Sequence, residues 1–247
     1  MKDTSISRAN KMRAGAVHLL TAIGVIPALL SVVALVEQDF RMALIWLGVS
    51  LLVDTLDGPL ARRYAVKHYM PNVDGDVLDF VIDYMTYAII PSLFVYSYGF
   101  FGSESMNIAA AAFMMMTALY CFANKSMKTQ DNFFSGFPSG WNFIALYFYL
   151  FPPAPALALG LIVFFGALTF IPVKCIHPIR VRHLRPVTFP LTVVWAAVSL
   201  YLIWIRPMAT EAPETLANAP YAAGTLIVVT VWFVAISIWR SIAGRFE

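Results

Sequence analysis

The chain has 247 residues, of which 60% are hydrophobic, 15% aromatic and only 13% charged, with a formal net charge of +3. With a mean hydropathy of +0.73, this composition excludes an ordinary water-soluble domain and fits a polytopic membrane protein with no nucleic-acid partner. At about 20 residues per span, the length supplies about eight helices and leaves no separate soluble domain, so residues 1–247 are expected to form one all-α integral-membrane domain.

Apolar runs place spans at 15–36, 42–61, 76–98, 105–124, 139–153, 154–174, 187–206 and 219–240. The first exceeds a signal-peptide apolar region and has no clear small-residue cleavage site, so it is read as a mature helix. The fifth is the weakest: WNFIALYFYLF runs into Pro152, Pro153 and Pro155, which predicts a tilted or partly interfacial segment. Charge tests the count independently. Fifteen of the seventeen lysines and arginines fall on one set of alternate connections, leaving Arg41 and Arg206 on the other. The positive-inside rule then puts both termini in the cytoplasm and requires an even number of spans. Glu37, Asp39, Glu104, Glu211 and Glu214 lie outside, and the basic inner face suits anionic headgroups or nucleotide phosphates.

Between Asp54 and Asp83 the chain reads DTLDGPLARRYAVKHYMPNVDGDVLDFVID. An ionised Asp deep in a spanning helix costs about 2.5–3.5 kcal/mol. Four of them, Asp54, Asp57, Asp79 and Asp83, therefore call for compensating charge, most simply divalent cations. Asp54 and Asp57 share one face at the inner end of the second span, with Gly58 and Ala61 on the same stripe. Gly75, Asp79 and Asp83 form a stripe on the third. The two helices run antiparallel through the 62–75 connection, which pairs Asp57 with Asp79 and Asp54 with Asp83. The two levels lie about 4.5–6 Å apart in depth, and two cations about 3.5–4 Å apart fit such a cluster.

Small residues at Gly58, Ala61 and Gly75 leave room for a bulky ligand beside the backbone. Pro59 frees the Thr55 carbonyl and permits a kink where the site opens. Arg62 emerges beside the carboxylates, where its fork can hold a phosphate oxygen. Together these features describe phosphoryl transfer. A lone intramembrane Asp is as readily a packing hydrogen-bonder or a proton relay, but four in register would repel one another without a ligand. A cation transporter is the non-enzyme alternative. It needs a polar path to the outer face, whereas MALIWLGVS and YAIIPSLFVYSY carry no ionisable carboxylate or basic residue.

The pattern Asp54-x2-Asp57-Gly58-x2-Ala61-Arg62, then Gly75-x3-Asp79-x3-Asp83, resembles the signature of the CDP-alcohol phosphotransferase family. The resemblance implies an integral-membrane enzyme that displaces CMP from a CDP-linked substrate with an alcohol, using Mn2+ or Mg2+, with two ions expected. It implies that Asp54, Asp57, Asp79 and Asp83 bind metal and that Asp83 is also the general base. Gly58, Ala61, Arg62 and Gly75 would line the nucleotide and diphosphate pocket. It further implies a homodimer.

Twelve residues separate Arg62 from Gly75, where most of the family has about eight. This spacer, the eight spans and NFFSGFPSGWN at 132–142 are similar to the bacterial members that join choline directly to CDP-diacylglycerol. That resemblance implies an inner-membrane enzyme with its active site facing the cytoplasm. Choline is a quaternary ammonium that aromatic faces or nearby negative charge can recognise. Tyr87 and Trp141 are the candidates chosen, from a set that includes Tyr84, Tyr120 and Phe137. Other acceptors, among them serine, inositol and glycerol 3-phosphate, stay open. A phosphorylated one would use a second basic cluster, which Arg180, Arg182 and Arg185 supply. His18, His68, His177 and His183 have no metal-ligand spacing and are assigned no chemistry. Cys121 and Cys175 are not expected to pair.

Overall fold

In the computed structural model the described residues are 8–127, 129, 133–178, 180, 181, 183–206 and 218–243. They are overwhelmingly helical. Among the described residues, six helical stretches are long and apolar enough to cross a membrane: Arg8–Val36, Phe40–Arg63, Gly75–Tyr98, Glu104–Ala123, Arg185–Ile205 and Pro220–Ala243. The expected fifth and sixth spans form shorter apolar helices, Trp141–Leu150 and Pro155–Leu168. These measure about 15 and 21 Å at 1.5 Å per residue, less than the roughly 30 Å hydrocarbon core. The chain is thus a predominantly helical, multi-span membrane protein that divides into two compact units, residues 1–90 and 91–247.

The first unit holds α1 (Arg8–Ile23), α2 (Val25–Val36), α3 (Phe40–Arg63), α4 (Val66–Tyr69) and α5 (Gly75–Tyr84). Pro27 cannot donate to the Ile23 carbonyl four residues back, and α1 gives way to α2 there. Gln38 takes a left-handed conformation (φ 60°) in the turn that follows. Asp39 then caps α3 by accepting the Met42 N–H at 2.9 Å. The Ser31 hydroxyl donates to the Ala43 carbonyl at 2.8 Å, fastening α2 to α3 inside the apolar layer. Leu52 and Leu56 on α3 and Val77, Phe80 and Val81 on α5 are exposed, as lipid contact requires.

The long spacer is folded. Ala65 adopts φ 46°, turning the chain into α4. Val66 is buried with Ala14 and Val17 of α1, and Leu60, Ala61, Tyr64, Tyr69 and Met70 pack around them. Asp74 caps α5, accepting the Asp76 and Val77 N–H groups at 3.0 and 3.1 Å. Lys67 pairs with Asp76, and the hydrogen bond and charge of that carboxylate hold the exposed ammonium above its usual pKa.

α5 continues into one wide π-type turn, Met85–Ile89, before α6 (Ile90–Tyr98). Pro91 has no N–H to give, and its ring crowds the Tyr87 carbonyl four residues earlier, so the helix widens just ahead of it.

The second unit contains α7 (Glu104–Ala123), α8 (Trp141–Leu150), α9 (Pro155–Leu168), α10 (Arg185–Ile205) and α11 (Pro220–Ala243), which follow the residues of α6 from Pro91 on. Phe134–Ser135 and Lys174–Cys175 form a two-residue antiparallel ladder, Phe134 facing Cys175. It is tied to α11 by the Lys174 and Ile176 N–H groups, which donate to Ser241 and Ser237. Gly136 (φ 87°) lies against the Thr169 carbonyl, which a Cβ would meet at 2.6 Å, so only glycine serves there. Tyr147 joins three helices, hydrogen-bonded to Thr230 of α11 and accepting the Trp195 indole N–H of α10 at 3.0 Å. Arg206 is buried over the Tyr149 ring and donates to the Tyr98 hydroxyl at 3.0 Å.

Candidate active site and metal centre

The helical stripes of α3 and α5 meet in the first unit. Asp54, Asp57 and Asp79 each offer a carboxylate oxygen, and these oxygens all lie within 4.8 Å of one another. Asp83 is one turn beyond Asp79 and outside that group. It acts, with Asp54 and Asp79, on the Tyr87 hydroxyl as a neighbouring charge.

Asp57 is the most deeply placed, 5% exposed, and it is held by the Thr21 hydroxyl of α1 and the Gly58 backbone N–H. Tyr87 reaches across from the wide turn, and its hydroxyl donates to Asp54 at 2.8 Å. Two of the three clustered carboxylates are therefore oriented by neutral donors, an arrangement that leaves oxygen lone pairs for a cation.

The donor set fits a hard divalent ion. Oxygens on opposite sides of an ion bound at about 2.1 Å stand about 4.2 Å apart, so oxygens within 4.8 Å need shifts of about half an ångström. Carboxylate oxygens without thiolate or imidazole favour Mg2+ or Mn2+ over zinc or copper.

The signature's small residues are placed as follows. A Cβ at Gly58 would meet the Arg62 guanidinium at 3.5 Å, so Arg62 folds back over the Gly58 backbone. At Gly75 a Cβ would stand 2.8 Å from the His18 ring, so the glycine accommodates that imidazole. Ala61 packs toward α1 beside the Ala14, Val17 and Val66 cluster. Trp141 is fully buried at the start of α8, edge-on to Phe137 at 5.1 Å between ring centres, in the second unit. Arg180 and Arg185 are exposed, and Arg182 lies outside the described residues.

The residue pattern alone missed Thr21 and His18. Both sit on α1 three residues apart in GAVHLLTAIGV, polar side chains in an apolar run. That spacing shows a shared face, and the fold shows what the face touches.

A predominantly helical membrane protein with carboxylates clustered from DxxDG and GxxxD stretches of two helices defines the class. Residues 16–173 match the family model for CDP-alcohol phosphatidyltransferase, and the chain belongs to that family. It is also similar to curated relatives along most of its length. A phosphatidylcholine synthase of Pseudomonas aeruginosa is 42% identical over 239 residues, 97% of this chain and 96% of the relative. That of Rhizobium meliloti is 38% identical over 220 residues, 89% of each chain. That of Mesorhizobium japonicum is 42% identical over 185 residues, 75% of this chain and 69% of its own.

Proposed function

We propose that this chain is a phosphatidylcholine synthase, transferring the phosphatidyl group of CDP-diacylglycerol to choline with release of CMP. The observation that carries the reading is the Asp54, Asp57 and Asp79 cluster at the positions of the family signature, in a chain similar along nearly its whole length to a phosphatidylcholine synthase.

Asp54, Asp57, Asp79 and Asp83 would hold the divalent metal, Mn2+ or Mg2+, expected as two ions. When bound, such ions supply positive charge against the diphosphate and the departing CMP. Arg62, folded over the bare Gly58 backbone, directs its guanidinium fork at a phosphate oxygen. Gly58, Ala61 and Gly75 keep the walls of the nucleotide and diphosphate pocket low.

Asp83 takes the proton from the choline hydroxyl. That oxygen forms a bond to the phosphorus bearing diacylglycerol, the bond from this phosphorus to the CMP oxygen breaks with its electron pair, and CMP leaves. Tyr87 holds Asp54 through its hydroxyl, which also feels the charges of Asp79 and Asp83, and an aromatic ring near negative charge suits a quaternary ammonium. Trp141 is kept as a separate acceptor candidate on the sequence alone.

The reading treats residues 1–247 as one enzyme domain in the bacterial inner membrane. It has eight spans, both termini cytoplasmic and the active site facing the cytoplasm. The basic connections support that orientation, and cysteine-scanning accessibility at both termini tests it. A homodimer completes the reading on family resemblance, and the mass of the protein in detergent tests it.

The decisive assay is CMP release by purified protein with CDP-diacylglycerol and Mn2+, comparing choline, serine, inositol, glycerol and glycerol 3-phosphate. Release with choline, giving phosphatidylcholine, is expected. Release only with another alcohol overturns the acceptor, and no release by folded protein overturns the donor. Tyr87→Ala and Trp141→Leu should each raise the choline KM more than that for CDP-diacylglycerol, and unchanged choline saturation removes that residue from the acceptor site.

A further inference from the structure

His18 Nε2 is shielded from solvent and has no hydrogen-bond partner among the described residues. Buried side-chain polar atoms are in the large majority satisfied, so an unmade bond beside an active site marks a place for a ligand group. The ring's position is set by packing. It lies on the bare backbone of Gly75, where a Cβ would stand 2.8 Å from Cε1 and 3.3 Å from Nδ1.

The neighbourhood is built in levels. Thr21, one turn farther along α1 than His18, binds Asp57, and Asp79 is one turn farther along α5 than Gly75. His18 and Gly75 therefore share a level about 5 Å from the carboxylate cluster, toward the end of the unit where α4 packs on α1. Asp83 and Tyr87 lie on the opposite side of Asp79. At Gly58 the same construction recurs, a glycine backbone overlain by the nitrogens of Arg62. Two signature glycines thus each carry a nitrogen-bearing side chain.

We propose that His18 is a further substrate-binding residue, its Nε2–H donating to a phosphate oxygen of the nucleoside diphosphate that Arg62 and the carboxylate cluster also engage. The inference rests on the nucleotide reading of this site. Choline is not the ligand: its ammonium nitrogen has no hydrogen-bonding group, and its hydroxyl belongs at Asp83, on the far side of the cluster.

The test is titration of CDP, in the presence of Mn2+, into the purified full chain and its His18→Ala, His18→Gln and His18→Leu variants, with KM measured for CDP-diacylglycerol and for choline. His18→Ala and His18→Leu should weaken CDP binding at least tenfold and raise the CDP-diacylglycerol KM by a similar factor, with the choline KM unmoved. His18→Gln restores a side-chain N–H near Nε2 and should recover most of the affinity. Wild-type CDP affinity and KM in all three variants overturns the role of His18 alone. Wild-type behaviour in His18→Leu with loss in His18→Ala reduces the residue to packing and also overturns it. Failure of the unmodified protein to bind CDP overturns the nucleotide reading of the whole site.

Discussion

The Tyr87 hydroxyl donates a 2.8 Å hydrogen bond to the Asp54 carboxylate, linking the wide turn after α5 to the middle of α3 across the acidic cluster. On the proposed function, Tyr87 would therefore orient a metal-binding carboxylate as well as offer an aromatic face. Removing only the hydroxyl separates these roles. Tyr87→Phe should raise the Mn2+ concentration for half-maximal activity about tenfold or more, the usual effect of losing a partner that orients a metal ligand. The choline KM should stay near its original value because the ring remains. Metal activation curves at saturating choline check this, and an unshifted curve detaches Tyr87 from the metal.

Asp57 is the buried member of the cluster, held by Thr21 and the Gly58 N–H. Asp57→Asn keeps the shape and one acceptor oxygen but removes the charge. It should cut CMP release about a hundredfold or more while membrane insertion is unchanged. Chelation of the unmodified protein should likewise abolish turnover and lower its melting temperature in detergent. Restoring Mn2+ should recover both, because a ligand that binds only the folded state stabilises it by mass action. Full activity in Asp57→Asn contradicts its role as a metal ligand.

Much of this site is legible in the residues because spacings of three and four on a helix place side chains on one face. The convergence of Asp57 with Asp79 follows from two antiparallel stripes. The tighter grouping of Asp54 with them, leaving Asp83 one turn out, does not follow, since depth alone says nothing about rotation of each helix. Tyr87 reads as the next residue on the Asp83 stripe, yet Pro91 imposes a π-type turn that carries its hydroxyl onto Asp54. His18 and Thr21 stay silent in the sequence because a single polar residue on an apolar helix has many uses until its neighbours are known. The weakness of the fifth span is visible in Pro152 and Pro153, and a ten-residue helix, Trp141–Leu150, precedes them.

The twelve-residue spacer should contribute to stability. Val66 is buried against Ala14 and Val17, so docking of α4 holds α1 at the level where Thr21 and His18 reach the site. Val66→Ala removes two methyl groups from that contact and should cost about 1–3 kcal/mol. The melting temperature in detergent should fall by a few degrees, and CMP release should fall with it as α1 loosens. Asp76→Asn, which breaks the exposed Lys67 pair, should leave the melting temperature almost unchanged, since exposed pairs contribute little. A larger effect from the ion pair than from Val66 reverses this account of the spacer.

Cys175 gives a pH dependence outside the spanning helices. Burial pushes its thiol up to about 11, so the folded state favours the protonated form. A raised folded-state value means the associated stabilisation is fully present below the unfolded thiol value, near 8.5–9, and is lost as pH rises toward 11. Stability should therefore decline between about pH 9 and 11, and less steeply in Cys175→Ser. Reactivity follows the same sign, since the thiolate is the nucleophile. In a Cys121→Ser background, iodoacetamide should modify Cys175 about a hundredfold more slowly at pH 7.5 than in the denatured chain, with the rate rising about tenfold per pH unit until the thiol titrates. Modification at the denatured-chain rate at neutral pH shows that the ladder between Phe134 and Cys175 does not shield the sulfur.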